Sequence, residues 1–161
     1  MPFCSIPTTA FTEARLQETG RLCTILLCIC LAPGKPLYYK MQQKNILIVD
    51  DSILIIERVT EILKDLETVS AVSQVHSYPE AVAALGYARP DIVLLDINLP
   101  GTNGIELLRH LKKNDPSIIV IMFSNRGNTY YKELCKSLGA DFFVDKSKGF
   151  DQLPAIISSL P

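Results

Sequence analysis

From Asn45 onward the sequence alternates, five times over, short apolar runs with longer stretches whose apolar residues recur every three or four positions. Few architectures accommodate that alternation. Runs such as Ile46-Leu47-Ile48-Val49 and Ile92-Val93-Leu94-Leu95 are continuous, as strands buried on both faces require. Strands are predicted over Asn45–Asp50, Val69–His76, Asp91–Asp96, Ile118–Phe123 and Asp141–Val144. Between them, Ile55, Ile56, Val59, Ile62, Leu63 and Leu66 have helical spacing. Ser77-Tyr78-Pro79-Glu80 has capping-box spacing with proline near the start, opening a helix through Tyr87. Thr102–Lys113 is predicted helical, with Ile105, Leu108 and Leu111 on one face. Tyr130, Tyr131, Leu134, Cys135 and Leu138 stripe a fourth helix, stopped by Gly139 at its C′ position. Leu153, Ile156, Ile157 and Leu160 stripe a last one, with Pro154 in its first turn.

Strand–helix alternation at this spacing implies a parallel sheet with helices on both faces, joined by right-handed connections. The small solution is an α/β, doubly wound five-stranded parallel sheet of order 2-1-3-4-5, a flavodoxin-like three-layer sandwich. In that order the first and third strands are neighbours. Ligands then sit beyond the carboxyl ends of the strands, at the switch point between those two. Asp50, Asp51 and Asp96 are therefore expected side by side.

The strand ends carry the candidate chemistry. The first delivers Asp50 and Asp51, the third Asp96, the fourth Ser124, and Lys146 follows the fifth. Each alone has an ordinary explanation: a strand-end aspartate is a turn former or helix cap, a lysine a solvated side chain, a serine a turn hydroxyl. Their coincidence at successive strand ends does not. Clustered carboxylates repel and raise one another's pKa, and a divalent cation relieves the repulsion. Hard oxygen ligands favour Mg²⁺ over zinc. Phosphoryl transfer needs positioning and charge neutralisation around three oxygens. A cation, the Lys146 ammonium and the Ser124 hydroxyl can each take one oxygen, with Asp96 as nucleophile and an acyl phosphate as product.

The remaining features narrow the classes. A net charge of −1 advertises no nucleic-acid or polyanion partner. Four of the five cysteines, Cys4, Cys23, Cys28 and Cys30, precede residue 31, and Cys135 alone lies in the alternating region. No Cys/His spacing resembles a zinc site, and a buried Cys135 fits a reducing cytosol. Residues 1–43 are expected to be an N-terminal extension, disordered or marking a misassigned start, since strand-forming text begins directly after Met41. The apolar run Leu22–Ala32 is too short to span a bilayer, which needs about 20 residues. An export or membrane-association segment and a functional extension are the other readings.

The stretch from about Lys44 to Leu160 resembles the receiver domain of two-component response regulators, in particular stand-alone receivers of the chemotaxis-regulator kind. The matching pieces are Ile46–Ser52, Asp91–Gly104, Met122-Phe123-Ser124 and Gly139–Lys146. The resemblance implies a receiver domain over 44–161, with Asp96 as the phosphorylated residue. It implies Mg²⁺ held by Asp50, Asp51, Asp96 and the backbone carbonyl of Asn98. Ser124 matches the switch hydroxyl, Phe143 the aromatic switch and Lys146 the phosphate-contacting lysine. The donor would be a histidine kinase or phosphotransfer protein. The domain would be a signalling phosphoacceptor rather than an enzyme, catalysing its own phosphotransfer and dephosphorylation. Its output would pass to an unknown downstream protein through the face of the last two helices and the last strand, near Tyr130, Tyr131 and Phe143. For the tyrosines, core packing is the expected role. No DNA and no membrane are expected as partners, and the expected location is cytoplasmic.

Three departures from the family pattern stand out. Ser147 follows Lys146 where many receivers have proline after a cis bond, so a trans bond is expected. Phe143 lacks a phenol. Arg126 places a long cation two residues past Ser124, at a position that in the family, like that of Asn98, tunes acyl-phosphate hydrolysis. Two alternatives remain: an Asp-nucleophile phosphatase, which needs an acid where Asn98 stands, and a receiver-like binding module that is not phosphorylated. Nucleotide binding lacks its glycine-rich loop.

Overall fold

The computed structural model describes residues 43–160. The extension expected over 1–43 therefore lies, but for its last residue, outside the described residues, as do the four early cysteines. Thirteen elements follow one another: β1 (Lys44–Val49), α1 (Ile53–Lys64), β2 (Val69–Val75), α2 (Tyr78–Tyr87), β3 (Ile92–Leu95), β4 (Asn98–Leu99), β5 (Thr102–Asn103), α3 (Gly104–Asn114), β6 (Ile119–Ser124), α4 (Thr129–Ser137), β7 (Phe142–Asp145), a 3₁₀ turn (Phe150–Gln152) and α5 (Leu153–Ser159).

Five strands form one parallel sheet in the order β2-β1-β3-β6-β7. With the two-residue strands β4 and β5 set aside, this is the expected 2-1-3-4-5. Side chains alternate between faces along each strand. Ile46 and Ile48 of β1, Ile92 and Leu94 of β3 and Ile121 and Phe123 of β6 pack with Ile56, Val59 and Leu63 of α1 and Leu153 and Ile157 of α5. Leu47, Val49, Val93, Leu95, Val120 and Met122 pack on the other face with Ala81 of α2, Leu107, Leu108 and Leu111 of α3 and Cys135 of α4. Burial on both sides is why the central runs are apolar without interruption.

The predicted strands fall within a residue of the observed ones at either end. Thr102–Lys113 needs a larger correction. Pro100-Gly101 makes a tight turn, with Gly101 at φ +76°, and Thr102–Asn103 pairs antiparallel with Asn98–Leu99. The helix waits until Gly104, because Asn103 is its N-cap: the Asn103 side chain accepts from the Ile105 N–H at 3.0 Å. The capping box at Ser77 is replaced by a variant in which Glu80 reaches one residue further back. Glu80 accepts from the His76 N–H and the Ser77 hydroxyl, both at 2.9 Å, but the Ser77 side chain caps no helical N–H.

Gly139 does end α4 at C′, at φ +95°, with the paired bonds Gly139 N–H to Lys136 O and Ala140 N–H to Cys135 O. Tyr130 does not join the core. It is 67 % exposed, while Tyr131, Leu134, Cys135 and Leu138 hold the buried stripe. Those four sit at i, i+3, i+4 and i+7, and Tyr130, one residue earlier, falls off their face. The described residues contain no cis peptide bond, so Lys146–Ser147 is trans as expected. No described helix is long and apolar enough to cross a membrane.

Candidate functional site

The register of the sheet assembles the site. Val49 lies opposite Leu95, and Leu95 opposite Met122. The next residues of β1 and β3 are Asp50 and Asp96, and each is still anchored to a neighbouring strand. Asp50 N–H donates to Val75 O at 3.2 Å, and Asp96 N–H to Val49 O at 2.9 Å. Both carboxylates are therefore rooted in rigid backbone and buried, at 2 % and 5 % exposure. The Lys146 ammonium bridges them, 2.5 Å from Asp50 Oδ2 and 3.2 Å from Asp96 Oδ2. Their other oxygens accept from backbone: Asp50 Oδ1 from Ser52 N–H at 3.0 Å, Asp96 Oδ1 from Ile97 N–H at 2.8 Å. Asp51 is exposed and completes the group. Carboxylate oxygens of Asp50, Asp51 and Asp96 lie within 4.8 Å of one another.

Lys146 is held in turn by the end of β7. Its N–H donates to Ser124 O at 3.2 Å. Asp145 Oδ1 accepts from both the Ser147 N–H, at 2.8 Å, and its hydroxyl, at 2.6 Å. The Asp145–Ser147 turn thus orders the chain just past the lysine with no proline there.

Burial is the main cause raising the Asp50 carboxyl above its ordinary value. The Lys146 contact and the Ser52 N–H oppose the rise, and the Asp96 charge adds only the smallest contribution. The expected mutual repulsion is present at this residue and has the expected sign, but desolvation outweighs it, with the ammonium bridging the two carboxylates. Three ionised carboxylates around one ammonium leave an excess of two negative charges. A hard divalent cation fits that excess and the all-oxygen donor set, with exposed Asp51 on the solvent side.

The remaining candidates lie around this centre. Ser124 is fully buried at the end of β6, opposite Asp145, and its Oγ accepts from the Arg126 N–H at 3.4 Å. Asn98 is exposed in β4, two residues past Asp96. Phe143 is half-buried against the core on the α2–α3–α4 face, with Lys132 Nζ 5.9 Å from its ring centroid. Gly104 was given no role by sequence reasoning. A Cβ there would meet the Asp96 carbonyl oxygen at 1.9 Å, and Gly104 N–H donates to Ile97 O at 2.8 Å. The helix α3 thus seats its first residue on the backbone of the central aspartate. The available signal was a glycine directly after an N-cap, where it weakens a helix unless close approach demands it.

The chain belongs to the response regulator receiver domain family, whose model matches residues 46–158. The DNA-binding transcriptional activator EvgA of Escherichia coli (strain K12) is 33 % identical over 117 residues, covering 71 % of this chain and 56 % of that protein. The chain thus spans about half the length of this curated relative, and the expectation of a stand-alone receiver gains no support from it. The phosphorylated cyanobacterial phytochrome response regulator RcpA is similar in structure at TM-score 0.63 and 29 % identity, covering 72 % of this chain and 89 % of that one. The Mn²⁺-bound form of response regulator Rcp1 matches at TM-score 0.61 and 27 % identity, covering 71 % and 89 %.

Proposed function

We propose that the domain is a phosphorylation switch in which Asp96 accepts a phosphoryl group from the phosphohistidine of a histidine kinase or phosphotransfer protein. The bond from phosphorus to the imidazole nitrogen breaks as the bond to an Asp96 carboxylate oxygen forms, and the imidazole keeps the electron pair. The observation that carries the reading is the buried Lys146 ammonium shared by Asp50 and Asp96, with Asp51 beside them, on the carboxyl edge of the sheet.

Each residue has a part in this reading. Lys146 neutralises charge on the transferring group and holds the nucleophile in place. The Ser124 hydroxyl takes a phosphoryl oxygen, and Phe143 responds by repacking. Asp50, Asp51, Asp96 and the Asn98 carbonyl would hold Mg²⁺, which when bound supplies further charge neutralisation. The same residues would later position water for hydrolysis of the acyl phosphate. Phosphorylation biases an existing equilibrium of the face formed by α4, β7 and α5, which a protein partner reads. Residues 44–161 form the switch domain in this reading. A cytoplasmic setting, where such donors act, is compatible with the free, buried Cys135.

The test is the full chain incubated with Mg²⁺ and acetyl phosphate, read by intact-mass spectrometry. One phosphoryl group is expected, lost in Asp96→Asn and on chelation. Phosphorylation that survives Asp96→Asn overturns the assignment. Catalytic turnover of a phosphate ester would point to the phosphatase alternative.

A further inference from the structure

We propose that Arg126 and Tyr131 form a clasp that opposes the switch: the Tyr131 phenol on α4 and a phosphoryl group on Asp96 compete for one guanidinium. The inference rests on the phosphoacceptor reading above and names a regulating contact for that site.

Arg126 lies in the loop between β6 and α4, two residues past Ser124, and its backbone N–H reaches the Ser124 hydroxyl. Its side chain turns toward α4. Nη1 donates to Tyr131 Oη at 2.7 Å, and Cζ lies 5.4 Å from the centroid of that ring. Tyr131 is a firm post. It is half-buried in the same core cluster as Phe143, and its N–H is the one that the Asn128 N-cap accepts from, at 3.0 Å. One residue thus ties the switch hydroxyl to the first turn of α4.

The tie is chemically unequal. A guanidinium is always charged, yet the partner here is a neutral phenol. Arg89 and Lys112 have carboxylate partners in Asp115 and Asp141, and Lys146 is engaged by two, whereas Arg126 makes no ion pair among the described residues. The bond to the phenol has one charged partner, whereas an arginine–phosphate contact has two and can be bidentate, which makes it the stronger. A phosphoryl group carries up to about two negative charges and three acceptor oxygens. Placed at Asp96, it draws Arg126 away from Tyr131 and frees the first turn of α4. Linkage makes the effect reciprocal: whatever weakens the clasp on the Tyr131 side, with the guanidinium left in place, strengthens binding of the phosphoryl group.

The experiment is titration calorimetry of the full chain with beryllofluoride, an analogue of the phosphoryl group, in Mg²⁺. Tyr131→Phe keeps the ring and its packing and removes only the hydroxyl. It is expected to bind beryllofluoride about fivefold tighter than wild type, at the low end of ordinary coupling. Arg126→Ala, at an exposed position, is expected to bind more weakly than wild type. Adding Tyr131→Phe to Arg126→Ala is expected to change nothing further. Unchanged affinity in Tyr131→Phe, or the same gain when Arg126 is absent, overturns the clasp while leaving the phosphoacceptor reading intact. A wild-type chain that does not bind beryllofluoride overturns both.

Discussion

At Lys146 a single ammonium faces two buried carboxylates, and its removal strands both. Breaking a buried pair from one side costs about 3 kcal/mol or more, because the charge left behind has neither water nor partner. Lys146→Ala should therefore destabilise the Mg²⁺-free protein by roughly 3 kcal/mol at pH 7. The deficit should depend on pH in a definite sense. The folded carboxyl of Asp50 already lies above its ordinary value of 3.8, chiefly through burial, and loses its main opposing contact in the variant. The folded state then holds the Asp50 proton more tightly than the unfolded state. The penalty is absent below the ordinary value, grows as pH rises through the folded value, and is complete above it. Urea unfolding at pH 7 and at pH 4.5 should show a smaller deficit at the lower pH. Equal deficits would mean that the lost packing of the lysine stem, rather than the Asp50 charge, is responsible.

At the scale of elements, the start of α3 is where helix and site meet. Asn103 caps the helix, and Gly104 rests against the Asp96 carbonyl. Two neighbouring substitutions should therefore behave differently. Asn103→Ala removes one capping bond and should cost about 1 kcal/mol in equilibrium unfolding, with Mg²⁺ affinity close to wild type. Gly104→Ala drives a methyl group into backbone that is pinned by the Asp96 N–H to Val49 O bond. It should cost roughly 3 kcal/mol and also lower Mg²⁺ affinity, because the strain is relieved by moving Asp96 itself. If Gly104→Ala lost stability with metal affinity unchanged, the strain would be taken up by α3 instead.

For the molecule as a whole, the excess of negative charge at the sheet edge couples metal binding to stability. A cation that binds the folded chain alone adds RT ln(1 + [Mg²⁺]/Kd), about 2.7 kcal/mol at a hundredfold excess over Kd. Thermal unfolding should therefore move upward with Mg²⁺. The rise should be larger at pH 7.5 than at pH 5, since protonation of Asp50, favoured by its burial, competes with the cation. Asp50→Asn should shrink both the rise and its pH dependence. A Tm independent of Mg²⁺ in wild type would count against the metal reading.

Much of this protein was legible from local pattern alone. The central runs are short, continuous, apolar and rich in β-branched residues, and five strand-forming segments separated by amphipathic stretches admit essentially one small layered sheet. Once its order is known, Asp50, Asp51, Asp96, Ser124 and Lys146 fall along one edge. What stayed hidden depends on distances between segments remote in sequence. The β4–β5 ribbon is two residues a side, too short for any period to register. Tyr130 and Tyr131 are equivalent as letters and differ only in which one faces the core. The need for glycine at 104 comes from the approach of a carbonyl eight residues earlier. The shift of Asp50 is set by how completely the fold excludes water around it. Periodicity along the chain decided the layers and which polar residues stand at the strand ends. Only the packed structure decided who holds whom, because burial and contact geometry belong to the assembled molecule.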